Sequence, residues 1–185
     1  MFALIDTIAD MFFSPLSGVR KAAGLSWKKI ILFFSAMTVL VSFPELRELF
    51  PYAGNASLMG IIAFQIILFF SFLCTLSFAI NGLMGLFYDK ASDIKSLLSG
   101  FIFSYTPFLL IPFFALLPGS SYSKEALVAV FSLWNAYLLL VAIKNAYEIS
   151  VFSAFAIILL SICLFVMLNV IFLIYIGMYI GLGVY

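Results

Sequence analysis

The chain has 185 residues, of which 66% are apolar and only 9% charged, where a water-soluble domain runs at roughly 45–50% and 25%. Water is the wrong solvent for such a chain. A net charge of +1 with nine Lys and Arg in all argues against a phosphate-binding surface, so nucleic acid is excluded as a partner and the lipid bilayer is expected instead.

Residues 2 to 13, FALIDTIADMFF, place Leu4, Ile5, Ile8, Met11 and Phe12 on one helical face and Asp6, Thr7 and Asp10 on the other. This is an amphipathic helix, too short and too charged to span a membrane, and it should lie in the interface or pack on the membrane bundle. Ser14-Pro15 follows as a helix start with Ser as N-cap, and Gly24 is the stop, so the chain begins with two short surface helices. Two acidic residues before the first basic one is the wrong charge order for a secretory signal peptide, and no cleavage is expected. Arg20, Lys21, Lys28 and Lys29 surround Trp27 just ahead of the first long apolar run and read as a cytoplasmic-side anchor.

Five apolar runs then follow. The first, Trp27 to Phe43, is ended by Pro44. The second, Leu58 to Phe87, has 30 residues, about 45 Å of helix against a hydrocarbon core of about 30 Å, so it must tilt, kink or protrude, with Asn81-Gly82 and Gly85 as the weak points. The third, Leu97 to Leu117, carries Pro107 and Pro112, each of which removes a backbone donor, so this helix should be bent or broken inside the membrane. The fourth is Ala126 to Ile143 and the fifth Val151 to Tyr185. Polar islands at Tyr88 to Ser96 and Lys144 to Ser150 are hairpin turns, too small to be domains. The expected fold is therefore all-α: an amphipathic segment over 1–26 and a membrane bundle of five transmembrane helices over 27–185.

With the N-terminus inside, seven Lys and Arg fall on the inner side (Arg20, Lys21, Lys28, Lys29, Lys90, Lys95, Lys144) and two outside (Arg47, Lys124). That bias puts the N-terminus in the cytoplasm and the C-terminus outside.

The chain has no His, and none of its Asp or Glu falls inside an apolar run, which leaves no Ser-His, His-metal or intramembrane diaspartyl chemistry and no cofactor to hold. No enzyme is expected. Asp89 and Asp93 read as a solvated surface pair, as do Lys144 and Glu148. Cys74 and Cys163 read as small buried hydrophobes. The informative residues are the neutral polar ones. Gln65, Ser71, Thr75, Asn81, Ser104, Thr106, Asn135 and Asn169 are costly against lipid and should face the bundle, either as interhelical hydrogen bonds or as a polar path past the broken third span. Asn81 and Asn135 are the expected partners of the carbonyls freed by Pro107 and Pro112. Gly177 and Gly181 form a small-xxx-small pattern suited to an oligomer contact between copies.

Trp134, Tyr137 and Leu138, then Lys144, Tyr147, Ser150 and Ala154, resemble in spacing the junction between the fourth and fifth spans of the Yip domain (Ypt-interacting protein) family of five-span membrane proteins. The string FFSPLSGVRKAAG, Phe12 to Gly24, is similar to the start of prokaryotic members, Trp27 to the start of their first span, and SYTPFLLIP, Ser104 to Pro112, to their Pro-containing third span. Two departures are Ala142, where the family often has Gly, and the missing Tyr-Gly-Pro motif of eukaryotic members. The resemblance implies a non-catalytic membrane-organising or trafficking-adaptor protein of the cell membrane, without the Rab-type GTPase binding of the eukaryotic members. The alternative is a small transporter, channel or lipid-moving protein built on the same bundle.

Overall fold

The computed structural model describes residues 2–49, 55–90, 92–115 and 121–182. In order, its elements are α1 (Phe2–Phe13), α2 (Pro15–Ala23), α3 (Trp27–Leu49), α4 (Asn55–Tyr88), α5 (Ile94–Ser104), a 3₁₀ segment (Thr106–Leu110), α6 (Ile111–Ala115), α7 (Ser121–Tyr147) and α8 (Val151–Leu182). There is no strand among the described residues. Leu58–Tyr88, Glu125–Tyr147 and Val151–Ile171 are each long and apolar enough to cross a membrane, and Ile94–Leu110 is a shorter apolar helical stretch.

The tight turns α4–α5 and α7–α8 lie side by side at one end of the bundle, where Lys90 of the first donates to the Tyr147 and Glu148 carbonyls of the second. The first turn leaves α4 through Asp89 at φ 51° and the second leaves α7 through Glu148 at φ 52°, left-handed residues of the kind that end helices. Ser150 then caps α8, its hydroxyl accepting from the Ser153 amide at 3.0 Å, and Asp93 caps α5, its carboxylate accepting from the Lys95 amide at 3.1 Å. The two acidic residues of this turn are thus a helix stop and a cap. Glu148 is likewise outside any helical i, i+4 pairing with Lys144, because its positive φ takes it off the helix.

Two expectations about the first helices need correction. The buried face of α1 is Leu4, Thr7, Ile8 and Met11, with Thr7 and Met11 fully enclosed and Ile5 half exposed. Thr7 tolerates enclosure because its hydroxyl donates to the Ala3 carbonyl of its own helix at 2.7 Å. Nor is α2 a surface helix. Gly18, Val19 and Ala22 are buried, and α2 is wedged against α5 and α7 as well as α1. The wedge needs glycines. A Cβ on Gly18 would lie 2.8 Å from the Met11 backbone nitrogen, and one on Gly100 of α5 would lie 3.0 Å from the Ala142 Cβ of α7, with Val19 of α2 at 3.7 Å. Ser14 does not cap α2 with its side chain, although Pro15 does take the first helical position.

Two further corrections concern the spans. Helix α3 runs through Pro44 to Leu49. Helix α4 runs unbroken through Asn81, Gly82 and Gly85 to Tyr88, with the Asn81 side chain bonded to the Ser92 amide and the Tyr147 hydroxyl and not to its own helix.

Candidate functional site

The third apolar run is broken where its prolines stand. Helix α5 stops at Ser104, Tyr105 takes φ −78° and ψ 1°, and Pro107 opens the 3₁₀ segment. The shift to 3₁₀ geometry provides donors that an α-helix would lose: the Tyr105 amide reaches the Ile102 carbonyl at 3.3 Å, the Phe108 amide reaches Tyr105 at 3.0 Å, and the Ile111 amide takes the Phe108 carbonyl that Pro112 leaves unserved. Pro107 leaves Phe103 without its α-helical donor, and the Thr106 hydroxyl donates to that carbonyl at 2.5 Å. The Ser104 hydroxyl donates to Phe101 at 2.7 Å. Asn135 of α7, 8% exposed, extends its amide nitrogen to the Ser104 oxygen at a long 3.4 Å.

Of the eight polar residues singled out in the sequence, the structure thus brings together Ser104, Thr106 and Asn135. The other five lie apart. Asn81 serves the α4–α5 turn: its side-chain oxygen accepts from the Ser92 amide at 3.1 Å and from the Tyr147 hydroxyl at 2.8 Å. Asn169 is exposed on α8 and donates to the Phe165 carbonyl at 2.8 Å. Ser71 and Thr75 are also exposed, Thr75 bonding back to Ser71. Thr75 and Asn169 face outward because each is bonded to its own helix. Gln65 is half-buried, and its Oε1 has no hydrogen-bond partner among the described residues.

The α7–α8 junction is built from the residues noted in the sequence. Tyr147, 3% exposed, pins α7 to α4 through Asn81, and Lys90 donates from Nζ to the Tyr147 and Glu148 carbonyls at 2.9 and 3.2 Å. A cation at the last carbonyls of a helix is the favourable arrangement. Trp134 and Tyr137 pack with ring centroids 5.4 Å apart and planes tilted by 43°, and the Trp134 indole nitrogen is buried without a partner among the described residues. Lys144 is exposed, while Arg20 of α2 donates to Asn145 at 3.1 Å. Lys21 bonds Asp10 at 2.8 Å, with Asp6 at 3.9 Å, and Ser17 also donates to Asp10 at 2.7 Å. The Lys21 bond, then that of Ser17, holds the Asp10 carboxyl below its ordinary range, and Asp10 in turn raises Lys21. Cys163 is exposed rather than buried. The surroundings of Gly177 and Gly181 lie outside the described residues.

Sequence reading missed the function of Lys90, the wedge position of α2 and the role of Tyr105. The signals present were Gly18 and Gly100, small residues at positions where helices touch. Tyr105 separates two cavities. One, of about 360 Å³, is lined by Met37, Thr38, Val41, Gln65, Phe69 and Phe108 among others. The second, of about 240 Å³, is walled by apolar side chains of α4, α5, α7 and α8. Comparison with protein-family models, with curated proteins and with solved structures gives no match.

Proposed function

We propose that the chain is a five-span integral membrane protein of the Yip type that acts without catalysis, as a membrane-organising or trafficking adaptor. The observation that carries this reading is the dispersal of the polar groups. Asn135, Ser104 and Thr106 close a backbone break, Asn81 closes a turn, and Asn169 is bonded to its own helix, so no continuous polar lining joins them. A solute path would need these groups free and facing one water-filled space. The rival reading, a transporter or lipid-moving protein, draws on the two cavities beside Tyr105, and the walls of both are mainly apolar.

In this reading α3 is the first span, and α5 with the 3₁₀ segment and α6 is the third. The turn end, with Arg20, Lys21, Lys28, Lys29, Lys90, Lys95 and Lys144, faces the cytoplasm, and in a prokaryote the protein sits in the cell membrane. Partners are lipids, other membrane proteins or a second copy of the chain. Cysteine substitution at Ser92 tests the orientation, because a membrane-impermeant reagent should leave it unlabelled in intact cells; labelling from outside inverts the topology. Crosslinking in native membranes followed by pull-down tests the adaptor role. One dominant, stoichiometric partner is expected, and the absence of any, together with solute flux in liposomes, would remove the reading.

A further inference from the structure

A cleft of about 640 Å³ opens to the outside between α2 and α7. Its polar lining is Ser14, Ser17, Arg20 and Lys21, and its apolar lining is Pro15, Leu16 and the ring of Tyr137. Lys21 and Ser17 are already spent. Lys21 bonds Asp10 at 2.8 Å, with Asp6 at 3.9 Å, and Ser17 donates to the same Asp10 carboxylate at 2.7 Å. Arg20 differs: among the described residues it has no carboxylate partner, and its side chain bonds through Nε to the neutral Asn145 at 3.1 Å. That bond holds the guanidinium in place and leaves its two terminal amino groups, which are donors only, unpartnered among the described residues. A fixed planar fork of this kind matches a phosphate. The cleft also has a direction. Arg20 stands at the level of Asn145, close to the end of α7 at Tyr147, whereas Tyr137 lies about 12 Å further from the turn end along the same helix. On that side the surface is apolar, with Leu133 73% and Phe13 86% exposed.

We propose that this cleft holds one phospholipid of net negative charge from the cytoplasmic leaflet, its phosphate accepting from the Arg20 guanidinium and its chains leaving past Leu16 and Tyr137 towards Leu133. An anionic headgroup supplies the countercharge that Arg20 lacks, whereas a zwitterionic one brings its own cation beside it. Asp10 is no obstacle, because its carboxylate is occupied by Lys21 and Ser17. A soluble phosphate would fill only the polar half of the cleft, and a lipid fills both halves. The proposal rests on the membrane reading above, with the turn end at the cytoplasmic surface, and is independent of the adaptor role.

The test uses the full chain in phosphatidylcholine liposomes, with tryptophan fluorescence read against phospholipids whose acyl chains carry bromine, a contact quencher. Trp134 reports on the cleft because it packs on Tyr137, and Trp27→Phe removes the second of the two tryptophans. In that background brominated phosphatidylglycerol should occupy the site about tenfold more readily than brominated phosphatidylcholine of the same chains, the effect of a charge-assisted hydrogen bond. Arg20→Gln should bring the two lipids to equality. Lys28→Gln, which removes an exposed cation outside the cleft, should leave the preference unchanged. Leu16→Glu, at an exposed position one turn before Arg20, sets a carboxylate against the guanidinium and should also abolish the preference; it covers the case in which Arg20→Gln fails to fold. Equal quenching by both lipids before these substitutions, a preference that survives Arg20→Gln or Leu16→Glu, or one lost equally in Lys28→Gln overturns the proposal and leaves the membrane reading standing, since quenching itself requires contact with acyl chains. Absence of quenching by either lipid removes both. Inorganic phosphate, compared with sodium chloride at equal ionic strength, should leave the preference in place; its loss to phosphate alone would assign the site to a soluble phosphate and overturn the lipid form.

Discussion

The turn end of the bundle and its far end are built differently. At the turn end α1, α2, α5 and α7 interlock through Met11, Val19, Ala22, Leu97, Phe101, Ala142 and Ile143, all nearly or fully buried, and the α4–α5 and α7–α8 turns there are capped by Asp93 and Ser150. Towards the far end α8 is exposed over the whole stretch 162–171, and a cleft lined by Met37, Val41, Gln65 and Phe69 opens beside the contact of α3 with α4. The difference teaches where the fold is specified. A membrane bundle gains nothing from hiding Leu or Ile from lipid, so close contact, caps and hydrogen bonds must hold it together, and these are concentrated at the turn end.

The largest expected effect breaks that contrast at its tightest point. Gly100→Leu drives a branched side chain into Ala142 and Val19 and should destabilise the protein by about 1–3 kcal/mol or more; Gly60→Leu on α4, where a Cβ meets nothing within 4 Å, should change little. Thermal unfolding in detergent compares the two. Equal losses would mean that the turn end is not the tighter half.

Next comes Thr106→Val, which strips the hydroxyl from the Phe103 carbonyl and should cost about 1 kcal/mol, whereas Thr106→Ser retains the donor and most of the stability. Asn135→Leu should cost less, about 0.6 kcal/mol, because its bond to Ser104 is long and Ser104 already has an acceptor. Unfolding midpoints of the three variants in one detergent rank them. If Asn135→Leu proves the most damaging, the break is closed from α7 and not locally.

The smallest effect concerns the α1–α2 latch. Asp10 titrates below its usual value, so its contribution is present at neutral pH and is lost only as acid drives the pH down through that lowered value. Lys21 titrates above its usual value, so its contribution is complete at neutral pH and is lost as alkali carries the pH up through the raised value. Hydrogen exchange of residues 2–23, corrected for intrinsic rates, should therefore be flat across neutral pH and rise only at the two extremes. A step near neutrality would show that another group holds the hairpin.

Much of this architecture was legible in the sequence because hydrocarbon permits so few backbone solutions. The helix type, the presence of turns within Tyr88–Ser96 and Lys144–Ser150, though the helices reach further into both islands than expected, and the break at Pro107 follow from apolar length, polar islands and missing amides. The helix running through Pro44 was not legible, since a proline's effect depends on whether its surroundings tolerate one lost bond. The partners of the polar side chains were also hidden. Asn81 and Asn135 look alike in an apolar run, yet one serves a turn and the other approaches Ser104, a distinction set by which helix ends up beside each. The burial of α2 depends on Gly18 and Gly100 sitting at helix crossings, and crossings are long-range facts.

The polar groups within the spans are assigned to holding the fold and not to lining a path. Flux of ions and of labelled lipid through liposomes carrying the unaltered protein and Asn135→Leu, measured alongside thermal stability, decides the matter. Flux should stay at the protein-free baseline for both proteins, with a small loss of stability in the variant. Flux above baseline in the unaltered protein that changes in Asn135→Leu, with stability unchanged, would assign these groups to a path instead.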